Sequence, residues 1–232
     1  SMSPIWILFY LSQAIWVPPL AIIRFGILTP LTWFSPALRR LIHQRASSLV
    51  MDPSYIRPLP TATALLYIRL QELGCFLYLV ACIVVPLVFL HRWPIPLAIQ
   101  AYLTGVVLVF MNSLRTLASH RWSSDRHEVT FVEQMLDSVT MDNDSLTAVL
   151  INPVGLRYHS THHLFPSMPY HNIRAAHKRL LERLPADSPY RQTVANSIWP
   201  VVANLWKRAA AHTRARHPTT FDHSTTEVAA GS

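Results

Sequence analysis

The sequence predicts an all-α integral-membrane protein, in which a transmembrane hairpin leads into a helical cytoplasmic cap carrying closely spaced histidines. Three observations predict it. The 232 residues are 51% hydrophobic and only 14% charged, where a soluble domain is about one-quarter charged. Two apolar runs each reach the length that crossing a bilayer requires. Beyond residue 115 the apolar residues fall at helical intervals instead of continuous blocks, the pattern of helices with one wet face.

The first run, Leu73 to Leu90, is eighteen residues without a charge. His91-Arg92-Trp93-Pro94 forms a loop, and Ile95 to Met111 returns with only Gln100 and Thr104 as polar interruptions. Together they make a hairpin over 73–114, with Pro86 and Pro96 near the span ends, where freed carbonyls find other donors. An earlier apolar segment, residues 1–23, contains Ser12, Gln13 and Pro18-Pro19. It either spans, re-enters or lies along the interface. Ser1 precedes Met2 with no charged leader or cleavable signal pattern, which suggests a tag remnant or an internal start.

Basic residues orient the chain. Six lie between Arg24 and Arg69, one in the hairpin loop and thirteen from Arg115 onward. The positive-inside rule places the interfacial segment 24–72 and the cap at 115–206 in the cytoplasm. Arg69 and Glu72, three residues apart, either pair at the headgroup level or are solvated separately. The net charge of +8 forms no dense basic run, which argues against nucleic acid as a partner. Cys75 and Cys82 sit inside an apolar stretch and imply neither a disulfide framework nor a thiolate metal site.

Within the cap, Thr130 and Glu133 have capping-box spacing ahead of Val132, Met135, Leu136 and Val139. Residues 141–145 read as a turn. A second amphipathic helix is expected from about Asn172 to Leu184, a weak one through Trp206, and a disordered tail over 207–232.

The chemistry is concentrated in His159, His162 and His163. Spacing of i, i+3 and i+4 puts three imidazoles on one face of a helix, which pre-assembles part of a metal coordination sphere without thiolate or carboxylate. Pro166 ends that helix just past the ligands.

The run His159-x-x-His162-His163-Leu164-Phe165-Pro166-Ser167-Met168-Pro169-Tyr170-His171-Asn172 resembles the last histidine box of membrane fatty-acid desaturases and related hydroxylases. Upstream, Asn112-Ser113 followed by His120 resembles the segment in which that family places an isolated histidine ligand. The resemblance implies a metal set of His120, His159, His162 and His163; read locally, His120 is equally an interfacial polar residue beside Arg121 and Trp122. Asn112, Asn152, His171 and Asn172 are candidates for supporting the ligands. Asn152 and Asn172 either orient imidazoles through the second ring nitrogen or cap helices; His171 either donates to the site or opens a helix. His177 is expected to be solvated.

By the same resemblance the cofactor is a di-iron centre and O2 the co-substrate. The reaction is desaturation of a fatty-acyl or membrane-lipid chain, with electrons from a donor such as a ferredoxin or cytochrome b5 system. The alternatives are a lipid hydroxylase, a carotenoid-modifying oxygenase or a non-catalytic membrane paralogue. A zinc hydrolase is disfavoured by the absence of HExxH. Only the last of the family's three boxes is present. His43, His91 and His127 stand without a histidine at +3 or +4, so the ligand set is incomplete. Either two boxes precede residue 1, or the chain is a degenerate relative; on its own it is expected to be inactive.

Overall fold

A computed structural model describes residues 3–46, 56–123 and 130–216. Among them the regular structure is helical, apart from one pair of two-residue strands. Three helices are long and apolar enough to cross a membrane: Pro4–Phe34, Ala62–Phe89 and Ile95–Ser119. The first of them contains the amino-terminal segment for which the sequence leaves spanning, re-entry and an interfacial position open, and it has the length to span. It is continuous over 31 residues, about 46 Å at 1.5 Å per residue, against a hydrocarbon core of about 30 Å. It comprises α1 (Pro4–Ile22), a π-helical turn (Ile23–Leu28) and α2 (Thr29–Phe34). The chain divides into two compact units, residues 10–110 and residues 1–9 with 111–232.

In the first unit, α3 (Pro36–Arg45) starts at Ser35, whose hydroxyl accepts from Leu38 N at 3.2 Å. The helix α4 (Ala62–Phe89) is capped by Thr61, so it begins eleven residues before the apolar run does. Its main packing is against the π-helical turn and α2, where a Cβ on Gly26 would sit 3.6 Å from Leu79 and the Trp33 and Phe76 rings meet edge-on at 5.5 Å. On α5 (Ile95–Ser119), Gly105 lets Pro18 approach, since a Cβ there would lie 3.0 Å from the proline ring.

One polar knot interrupts this apolar unit. Glu72 is buried and pairs not with Arg69 but with Arg24 from the π-helical turn and, at 3.6 Å, with Arg39 of α3. Arg24 also donates to Thr29 at 2.6 Å and Arg39 to Thr32 at 3.0 Å. Glu72 is thus neither paired with Arg69 nor solvated: its burial draws guanidiniums from two distant segments to the carboxylate. His43 is buried in the same unit, and burial pushes its imidazole below the ordinary histidine range.

In the second unit, α6 (Phe131–Asp137) carries the expected capping box, with Thr130 and Glu133 bonded reciprocally. It is followed by an extended segment, residues 138–141, around which the cap is built. Ser138 bridges antiparallel to His120, with Val139 N donating to Ser119 O at 2.8 Å. Thr140 bridges antiparallel to Tyr158, with Met141 N donating to Arg157 O at 2.7 Å. Strand β1 (Thr140–Met141) pairs in parallel with β2 (Val194–Ala195). Around this bar pack α7 (Leu146–Ile151), α8 (His159–Leu164), α9 (Tyr170–Arg183) and α10 (Ile198–Arg216). The core joins Leu114, Ala118, Val139, Met141, Ile151 and Ile198. The last helix continues ten residues past the expected end at Trp206, because Ala209 extends its buried face; residues 217–232 and His127 lie outside the described residues.

Candidate metal centre

Two segments far apart in sequence deliver the imidazoles. The helix α5 ends at Ser119, and His120 enters the antiparallel bridge to Ser138. Tyr158, bridged to Thr140, starts α8, and Ser160 N donates to Thr140 Oγ1 at 3.1 Å. His159 and His163 then project from one face of α8 toward His120. Their Nε2 atoms lie close: His159 to His120 at 3.0 Å and His163 to His159 at 3.2 Å. The ligand atoms of all three lie within 4.8 Å of one another.

Asp137, the last residue of α6, completes the arrangement. Its Oδ2 is 3.1 Å from His120 Nδ1, and its Oδ1 accepts from Ser123 N at 2.8 Å and Ser123 Oγ at 2.7 Å. Burial alone would raise this carboxyl, but hydrogen bonds from His120 and Ser123 outweigh it and hold it at about 2. An ionised Asp137 fixes the Nδ1–H tautomer of His120 and leaves Nε2 with its lone pair toward the cluster. Burial, with His120, His163 and His162 nearby, pushes His159 down to about 3, and burial lowers His163 as well. Both are neutral imidazoles at physiological pH, the form that binds metal.

These residues fit a transition-metal site on two grounds. Nitrogens bound to one ion at about 2.0–2.1 Å stand about 3.0–3.4 Å apart, and the Nε2 separations of 3.0 and 3.2 Å match that. The donor set is imidazole, which suits iron and zinc alike. His162 is stacked between His159 and Tyr170, ring centroids 6.0 and 5.9 Å apart, and lies outside the group of converging nitrogens. Its Nδ1 is buried without a hydrogen-bond partner among the described residues, a vacant donor position next to the cluster.

The other expected residues are placed differently. Asn112 accepts from Arg115 one turn along α5, and Arg115 is one of the charges that depress His159. Asn152 is buried at the carboxy-terminal end of α7, its amide 3.8 Å from the sulfur of Met141. His171 and Asn172 are exposed in the first turn of α9, away from the convergent nitrogens.

Sequence reasoning missed Asp137, which no spacing connects to His120, and misread His177. That histidine is fully buried on α9, four residues after buried Ile173, and its place on the apolar face was the available signal. Its Nδ1 is 2.7 Å from the Tyr190 hydroxyl, which is 2.6 Å from Thr161 Oγ1 on α8. Its Nε2 faces the Asp142 carboxylate at 3.4 Å. This buried chain anchors the back of the helix whose front carries the cluster.

A family model described as fatty acid desaturase matches residues 6–194. The chain belongs to the fatty acid desaturase family. Among curated proteins, it is 34% identical over 210 residues to a ceramide hydroxylase of Caulobacter vibrioides (strain NA1000 / CB15N), covering 89% of this chain. The chain spans 58% of that relative's length. No solved structure matches. The His120, His159 and His163 cluster is consistent with the metal site of a desaturase-family oxidoreductase.

Proposed function

We propose that this chain supplies imidazole ligands to a di-iron centre in a membrane-bound lipid hydroxylase acting on a ceramide-like substrate. The likeness to a named ceramide hydroxylase along 89% of the chain carries this reading, and it favours hydroxylation over the desaturation that the histidine box suggests on its own. Bound iron would supply the redox chemistry that lets O2 attack an unactivated C–H bond. In the balanced reaction one oxygen atom enters the C–H bond as a hydroxyl. The other leaves as water, consuming two electrons and two protons.

The roles of the chain's own groups follow from the site. His159 and His163 offer Nε2 from α8, and His120 offers Nε2 while Asp137 holds its Nδ1–H. His162, with its free Nδ1, is the fourth candidate ligand. Electrons come from a separate carrier of the ferredoxin or cytochrome b5 class. The excess of basic residues on both flanks of the hairpin supports placing the cluster on the cytoplasmic side. Desaturation of the same chain is the second reading, favoured by the family description.

One assay separates the two. Membranes containing this chain, together with whatever longer protein supplies the two further histidine boxes, are incubated with ceramide, O2 and a reduced electron carrier, and the lipids are resolved by mass. Gain of one oxygen atom is the expected result. Loss of two hydrogens instead would establish the desaturase, and an unchanged lipid in the presence of bound iron would overturn the substrate assignment.

A further inference from the structure

In the cap, α9 behaves as a wet helix should. It buries Ile173 and His177 and exposes His171, Asn172, Arg174, Lys178, Arg179, Glu182 and Arg183. The short helix α7 does the reverse. It buries Ala148 and Ile151 and exposes Leu146 (73%), Leu150 (59%) and the neighbouring Val149. One turn further on, Pro153 and Val154 (75%) continue the same stripe. No charged residue occurs from Ser145 to Leu156, and the charges that bound this stretch are tied together, Asp144 with Arg157 and Arg174 at 2.7 Å each.

Val154 is also left-handed, with φ 55°, a conformation that a β-branched residue adopts rarely. Glycine would suit that turn better, yet the chain presents an apolar side chain there. The next residue, Gly155 at φ 82°, does need to be glycine: a Cβ would lie 2.9 Å from the Tyr170 carbonyl oxygen. The stripe therefore abuts Tyr170, which is partly exposed and stacks on His162.

The packing of α7 identifies the occupant. Its buried Ile151 joins Leu114 of α5 in the core, and Met111 packs against the same cluster. Both lie in the carboxy-terminal half of the candidate span Ile95–Ser119, so α7 attaches to that end of the helix. An uncharged apolar stripe at that level faces acyl chains and the glycerol region of the bilayer.

We propose that α7 and the Pro153–Val154 turn form a membrane-docking surface that seats the cap in the bilayer interface, with Tyr170 and His162 immediately behind it. The inference rests on the membrane-spanning helices and is independent of which oxidation the site performs.

The test uses the protein with Cys75 and Cys82 replaced by serine, carrying single cysteines at Leu146, Leu150, Val154 and, as an aqueous reference, Glu182. Each is labelled with an environment-sensitive fluorophore and placed in phosphatidylcholine nanodiscs with or without bromine on one acyl chain. Brominated lipid should quench the first three labels strongly. Iodide should quench them several-fold less than it quenches the Glu182 label. Equal iodide quenching at all four positions would overturn the proposal, because the stripe would then face water. Protection of the first three from both quenchers would overturn it too, showing that protein covers the stripe.

Discussion

The membrane unit and the cap solve opposite problems. Between residues 10 and 110 long helices carry mostly exposed apolar side chains, and the strongest polar contacts gather in the Arg24–Glu72–Arg39 knot. Beyond residue 111 most helices are short, and a four-residue extended segment links His120, Asp137 and α8 through backbone bridges. The spans are encoded locally, in hydropathy. The histidine cluster is encoded in pairings between segments that no local pattern connects, so damage to the two units should have separable effects.

The largest effect is expected at the cluster itself. His159→Ala removes the imidazole that contacts both partners and should abolish iron retention, measured by elemental analysis of detergent-purified protein, while helicity is unchanged. Iron that persists would show that the cluster is not the ligand set. Glu72→Ala is the complementary break in the membrane unit. It leaves two guanidiniums buried without their carboxylate and should cost about 3–5 kcal/mol, seen as a lowered unfolding midpoint with iron per folded chain unaltered. Asp137→Asn keeps the shape but weakens the hold on His120 Nδ1; metal affinity should fall about 10–100-fold, read by competition with a chelator. Tyr190→Phe strands Thr161 and His177 and should destabilise the cap by about 1–3 kcal/mol, measured by amide exchange in α8 and α9.

Acid is the gentlest probe. His159 is held at about 3, so below about 6.5, the ordinary histidine value, the unfolded chain takes up a proton that the folded chain refuses. Stability of chelator-treated protein should therefore be complete above that value and decline as pH falls toward 3, with His163 and His177 acting in the same direction. Asp137, held at about 2, adds a further loss as pH falls through that value. Stability that rises on acidification would contradict the burial of these groups.

Much was legible in the residues. The runs ending at Leu90 and Met111 mark two helices able to cross a membrane, Thr130 and Glu133 mark a helix start, and His159 with His163 mark the face that meets His120. What escaped depended on distance along the chain. Asp137 reaches His120 only because Ser138 bridges back to it, and Glu72 passes over Arg69 for Arg24, forty-eight residues away. His177 was misjudged because a histidine reads as polar in a pattern of apolar residues, although its position on α9 is a core position. His162, predicted on the same face as its neighbours, stacks between His159 and Tyr170, and only His159 and His163 bring their nitrogens to His120.

The parallel pairing of Thr140–Met141 with Val194–Ala195 also dictates an order of manufacture. Every histidine of the cluster leaves the ribosome before residue 194 does, and by then the hydrophobic helices have already met the insertion machinery. The bar that aligns His120 with α8 gains its last strand only afterwards, at the entropic cost of closing a loop of more than fifty residues. A chain cut before Val194 would keep the bridges of Ser138 and Thr140 to His120 and Tyr158 but lose the parallel strand that flanks them.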